Sequence, residues 1–210
     1  MTDTLALPTG PMADGILAAV HASESGALAR HSIRTFLFAE IIAARSGADA
    51  HPEYDRDVLF AATVLHDLGL GSEAPGSERF EIEGADRAAA LLQEHGMAQG
   101  DIERVWDAIA LHTSAGIAER RGVIASLTRA GVAADLGRYA DAVSDYEAVI
   151  HAAYPRSRAV GAIVDAVVMH AGRSATAGAP YTLAGELARE RLLGGPTRLE
   201  LSVATVPWST

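Results

Sequence analysis

The chain has 210 residues, no cysteine, 49% hydrophobic but only 5% aromatic residues, and a formal net charge of −10. That length predicts one domain with a sizeable core. The missing cysteines exclude disulfides, thiol nucleophiles and thiolate metal sites, and the acidity argues against nucleic acid or an anionic membrane as partner. No apolar run approaches the roughly 18 residues of a membrane span, and no basic stretch followed by an apolar one marks a signal peptide, so a cytoplasmic protein is expected.

Residues 1–11, with Pro8, Gly10 and Pro11, read as a loose arm, and a short helix follows over Ala13 to His21. A long helix runs from about Ala27 to Arg45 and closes at Ser46-Gly47. It is apolar around most of its circumference, as a buried helix is. His31 and Arg34 lie on nearly the same side of it. After the His51-Pro52 loop, an apolar helix is expected from Asp55 to Leu68, so that His66 and Asp67 enter a packed environment at its end.

Further helices are expected over Ile82 to His95, Gly100 to His112 and Val123 to Tyr139. In the second of these, Ile102, Val105, Trp106 and Ile109 mark one apolar face and His112 continues it. In the third, Asp135 shares a side with Val132, Leu136 and Tyr139. Ser144-x-x-Glu147 has capping-box form and predicts a helix start. Helices over Arg158 to Ala175 and Thr182 to Leu193 follow, then an apolar tail from Leu199 to Thr210 with Pro207 and Trp208. No strand alternation or internal repeat appears, so the fold is expected to be all-α: one helical bundle with a C-terminal helical extension. Residues 1–24 form an arm and short helix, 25–140 the domain core, and 141–210 helices and a tail packed on it. His95 reads as a helix cap, and His151, Asp165 and His170 as packing or surface residues.

Two imidazoles and two carboxylates, His31, His66, Asp67 and Asp135, thus come from separate helices onto inward faces, with His112 beside them. An unpaired buried carboxylate is costly, and a shared divalent cation explains both Asp67 and Asp135. Such a set binds one ion and leaves positions for water and substrate.

The phrases His31-Ser32-Ile33-Arg34, Leu65-His66-Asp67-Leu68-Gly69, Arg79-Phe80-Glu81-Ile82-Glu83-Gly84-Ala85-Asp86, Val105 to Thr113 and Gly131-Val132-Ala133-Ala134-Asp135 occur in this order. The pattern resembles the HD superfamily of metal-dependent hydrolases, and within it the cyanamide hydratase-like branch. The resemblance covers about residues 25 to 138. It implies an all-α fold and a single metal ion, zinc in this branch, held by residues matching His31, His66, Asp67 and Asp135. His112 matches a position that lines the site without binding the metal. The phosphohydrolase members carry an acid shortly after the His-Asp pair, whereas Leu68 to Ser72 hold none.

The activity expected on this basis is hydration or hydrolysis of a small molecule, with cyanamide to urea as the leading case. The ion lowers the pKa of its water, Asp67 holds the water's proton, and His112 moves it. Arg34, Phe80, Glu81 and Thr113 are the candidate substrate contacts, Glu81 and Thr113 for an amino group. A phosphohydrolase using Arg34 and Arg79, and a non-catalytic ligand-sensing domain, are the alternatives. Fe2+ or Mn2+ suits the same ligands, and a second ion would need His95 and His112. A homodimer is the expected assembly.

Overall fold

The computed structural model describes residues 5–206 and contains ten α-helices and no strand among them. They are α1 (Pro11–Ser23), α2 (Gly26–Ser46), α3 (Arg56–Val64), α4 (Phe80–Glu94), α5 (Gln99–Leu111), α6 (Val123–Asp135), α7 (Ala140–Ala153), α8 (Ala159–Ala171), α9 (Leu183–Leu192) and α10 (Arg198–Val203). The fold is all-α, as the sequence predicts. None of these helices is long and apolar enough to cross a membrane.

The helix starts follow local chemistry. Pro11 occupies the first turn of α1, where its missing N–H costs nothing. Ser25 caps α2 by accepting from the Leu28 N–H, and Asp55 caps α3 by accepting from Asp57 and Val58. Gly47, in the left-handed region at φ 73°, ends α2.

Helix α2 is the spine of the bundle. It packs on α3, α6 and α7, and Phe36 meets Phe60 of α3 edge to face at 5.0 Å between ring centres. Its contact with α6 depends on Gly131, where a Cβ would lie 2.3 Å from the Thr35 carbonyl oxygen. This close approach brings the C-terminal end of α6 beside the first turns of α2. A second, smaller apolar cluster joins Leu28, Leu70 and Phe80 to Ile163 and Val167 of α8 and Ala184 and Leu187 of α9. The C-terminal helices therefore close over the side of the bundle on which Phe80 lies.

Four local expectations are corrected. Helix α3 ends at Val64, so His66 and Asp67 stand in the turn beyond it, ahead of a 3-10 turn over Leu68–Leu70. Apolarity continued past the point where the helical hydrogen bonding stops. Helix α6 ends at Asp135, because Gly137 at φ 93° and Tyr139 at φ 57° turn the chain out of the helix. Helix α7 then starts at Ala140, which leaves Ser144 inside it and its capping-box pattern unused. The capping box that does form is Thr197 with Glu200, and it starts α10 within the stretch read as a tail. Pro207 and Trp208 lie outside the described residues.

Candidate metal centre

Four helix ends converge on one point. His31 comes from the second turn of α2, His66 and Asp67 from the turn after α3, His112 from the C-cap of α5, and Asp135 from the last residue of α6. All five are buried.

The histidines are oriented alike. His66 Nδ1 donates to the Thr63 carbonyl at 2.8 Å, and His112 Nδ1 donates to the Ile109 carbonyl at 2.7 Å. Each ring thus satisfies a carbonyl at the end of its own helix, three residues back. His31 Nδ1 donates to Asp135 Oδ2 at 2.6 Å. A carbonyl or an ionised carboxylate can only accept, so each Nδ1 carries a proton, and in the neutral ring the lone pair is on Nε2.

All three Nε2 atoms face Asp67. The separations are 3.8 Å from His31 and 3.3 Å from His66 to Oδ2, and 3.9 Å from His112 to Oδ1. Asp67 Oδ2 is buried and has no hydrogen-bond partner. Bare lone pairs turned toward a carboxylate repel it unless a cation lies among them. A proton on His66 or a metal ion shared by the set removes that conflict. The electrostatics agree. Burial would raise the Asp67 pKa, but His66, His31 and His112 together hold it well below the usual carboxylate range. Burial would lower His66, but Asp67 beside it raises it. His112 is pushed down to about 4 by burial and by the neighbouring His66, so it is neutral near pH 7.

One ligand atom from each of His31, His66 and Asp67 lies within 4.8 Å of the others, a spacing that suits one metal ion. Hydrogen bonds that hold a ligating imidazole by its other nitrogen are a regular part of metal sites. The residues present therefore fit a divalent ion.

The model of the HD domain family matches residues 28–153. The chain belongs to the HD domain family. Members of this family are in general metal-dependent hydrolases, and the cluster of His31, His66 and Asp67 fits binding of a divalent ion, as in HD domains generally. No curated protein matches the chain.

The other sequence-derived site residues fall differently in this HD domain. Asp135 does not join the three-residue cluster. Its carboxylate takes the Arg34 guanidinium at 2.6 and 2.7 Å as well as His31 Nδ1. Burial raises its pKa, but Arg34 and His31 outweigh that and keep it ionised. The cation that explains its burial is thus Arg34. For the same reason Arg34, fully enclosed, does not reach the cavity as a substrate contact. Glu81 is fully buried too and accepts from Thr113 Oγ1 at 2.6 Å and from Arg79 at 2.9 Å. It holds Thr113 and is not itself on the cavity wall. Thr113 and Phe80 do line the cavity, and the Phe80 ring stands 5.6 Å from that of His112. His95 is exposed at the end of α4. His151 pairs with Glu147, Asp165 with Arg191, and His170 with the Glu78 carbonyl.

The cavity beside this cluster measures about 260 Å3. Arg129, Arg138 and the apolar residues of α8 to α10 on its wall escaped the sequence reading. Ile163 and Val167, four apart on α8, carried a helical signal, but nothing in the sequence says what an apolar face covers.

Proposed function

We propose that the chain is a metal-dependent hydratase or hydrolase acting on an uncharged electrophilic carbon of a small molecule, with hydration of a cyanamide-type nitrile as the leading reaction. The observation that carries this is the convergence of three imidazole Nε2 atoms and the Asp67 carboxylate at one end of a largely apolar cavity. His31, His66 and Asp67 would hold the ion. Zinc is the proposed metal, since it favours imidazole and carboxylate ligands, with Fe2+ and Mn2+ as comparisons. When bound, it supplies a water acidified to near neutrality.

The protein's own groups do the rest. His112, neutral near pH 7, accepts a proton at Nε2 and returns it to the nitrile nitrogen. One C–O bond forms, one C–N π bond breaks, and the amide tautomer follows; for cyanamide plus water the product is urea. Thr113 Oγ1 donates to Glu81, so its lone pairs remain to accept from a substrate N–H. Phe80 gives one side of the site an apolar face.

A phosphate ester is the second reading, favoured by Arg129 and Arg138 on the cavity wall. Against it, Arg34 is held by Asp135 and Arg79 by Glu81. The segment after Asp67, where a water-positioning acid would stand, is the buried Leu68-Gly69-Leu70.

The test is urea release from cyanamide by zinc-loaded protein, with His66→Ala as control. Urea that disappears in the variant supports the hydratase. No urea from fully metal-loaded protein sinks the cyanamide assignment and moves the search to phosphate esters.

A further inference from the structure

The cavity is too large for cyanamide alone. At about 260 Å3 it lies just below the roughly 300–1,000 Å3 of sites for drug-sized ligands. Part of its apolar wall is built by Ile163 and Val167 of α8, Leu183 of α9 and Leu199 of α10. These helices all follow the segment that matches the family, which ends at residue 153. One apolar side of the chamber is therefore supplied by helices beyond the matched segment, while Val132, Ala133, Leu136 and Arg138 on its wall lie within it.

Arg138 stands at the rim. It is exposed and lines the cavity. Its guanidinium has no hydrogen bond or ion pair among the described residues, and only its backbone N–H is engaged, on the Ala133 carbonyl. Arg129, by contrast, is committed to Glu119 and to the His112 carbonyl. The turn that carries Arg138 is held in place. Gly137 has φ 93°, and a Cβ there would lie 2.2 Å from Val206 Cγ1, so the C-terminal segment packs directly on it. Tyr139, at φ 57°, is kept in a conformation that costs energy for a side-chain-bearing residue. A buttressed turn that presents an unpaired guanidinium to a cavity offers an anionic group a partner there.

We propose that the substrate is an amphipathic anion. Its reacting group lies at the His31–His66–Asp67 end, its apolar body runs along Ile163, Val167 and Leu199, and a carboxylate, sulfonate or phosphate group pairs with Arg138. The assignment of the reacting group rests on the function proposed above; the apolar body and the anionic end do not. The chain's net charge of −10 repels anions in general, so an anion held here reports a local site.

The experiment is calorimetric titration of the zinc-loaded chain with hexanesulfonate, which neither reacts nor coordinates metal well. Methanesulfonate and hexanol are the comparisons. Hexanesulfonate should bind at least about tenfold more tightly than either, a difference of about 1.4 kcal/mol. Arg138→Met should remove its advantage over hexanol, and Leu199→Ser its advantage over methanesulfonate. Equal binding of hexanesulfonate and hexanol, or binding unaffected by Arg138→Met, overturns the proposal. Binding of methanesulfonate as tight as that of hexanesulfonate overturns it too. Because no turnover is measured, failure of the nitrile chemistry leaves these outcomes unchanged.

Discussion

Asp135 Oδ2 accepts the His31 Nδ1–H at 2.6 Å while the same carboxylate is clamped by Arg34 at 2.6 and 2.7 Å. One carboxylate thus neutralises a buried guanidinium and fixes the tautomer of a candidate metal ligand. Asp135→Asn keeps the shape but removes the charge. It should lower metal affinity by about 10- to 100-fold, as loss of a partner behind a ligating histidine does. It should also destabilise the chain by about 3–5 kcal/mol, because Arg34 is left buried without its counter-ion. Chelator competition and urea unfolding measure the two effects. Unchanged metal affinity would show that His31 does not depend on Asp135.

A metal ion that binds only the folded chain raises its stability by mass action. At a free concentration about 100 times Kd the gain is about 2.7 kcal/mol. Thermal melts with zinc and with chelator should differ accordingly. In His66→Ala, which removes a member of the three-residue cluster, the difference should disappear. A persisting shift would place the metal elsewhere.

Glu83 ties down the loop ahead of α4. Its carboxylate accepts the backbone N–H groups of Gly76, Ser77 and Glu78. Burial raises its pKa, but these hydrogen bonds more than offset that, and the net shift is downward. A depressed carboxyl contributes stability above its unfolded value of about 4.3 and loses it as pH falls through the folded value. Glu83→Gln should therefore cost about 1–3 kcal/mol at pH 7. Its deficit against wild type should shrink as pH drops below 4.3, which unfolding curves at several pH values will read. A deficit constant down to acid pH would assign the effect to shape instead of charge.

Two glycines on helices should respond oppositely to alanine. At Gly131 the added Cβ meets backbone, the Thr35 carbonyl at 2.3 Å, so α2 and α6 must separate. A loss of about 1–3 kcal/mol is expected, with weaker metal binding because Asp135 lies one turn further along α6. At Gly161, within α8, nothing lies within 4 Å of the added Cβ. A gain of about 0.5–1 kcal/mol is expected there from helix propensity. Urea midpoints of both variants test the pair.

The divide between legible and hidden features runs through single residues. His31, His66, Asp67 and His112 were legible because each is a polar group beside an apolar helical stretch, and one-dimensional patterning exposes such a conflict. Asp135 was legible as a buried carboxylate but not as the partner of Arg34. The two are 101 positions apart, and no local rule ties such residues together. The early end of α3 was hidden because apolarity runs on past Val64, while the ring of His66 takes up the Thr63 carbonyl. Helix α10 was hidden because an apolar, β-branched stretch masked the short cap of Thr197 and Glu200.

By itself the sequence determined the all-α class, the order of α1 to α9 and the presence of His31, His66 and Asp67 as candidate metal ligands, because these follow from periodicity, capping and side-chain chemistry along the chain. Tertiary structure alone decided which nitrogen of each histidine is free, which cation answers Asp135, and that α8 to α10 wall the cavity. Those depend on distances between segments far apart in sequence, set by helix packing at contacts such as Gly131 on Thr35.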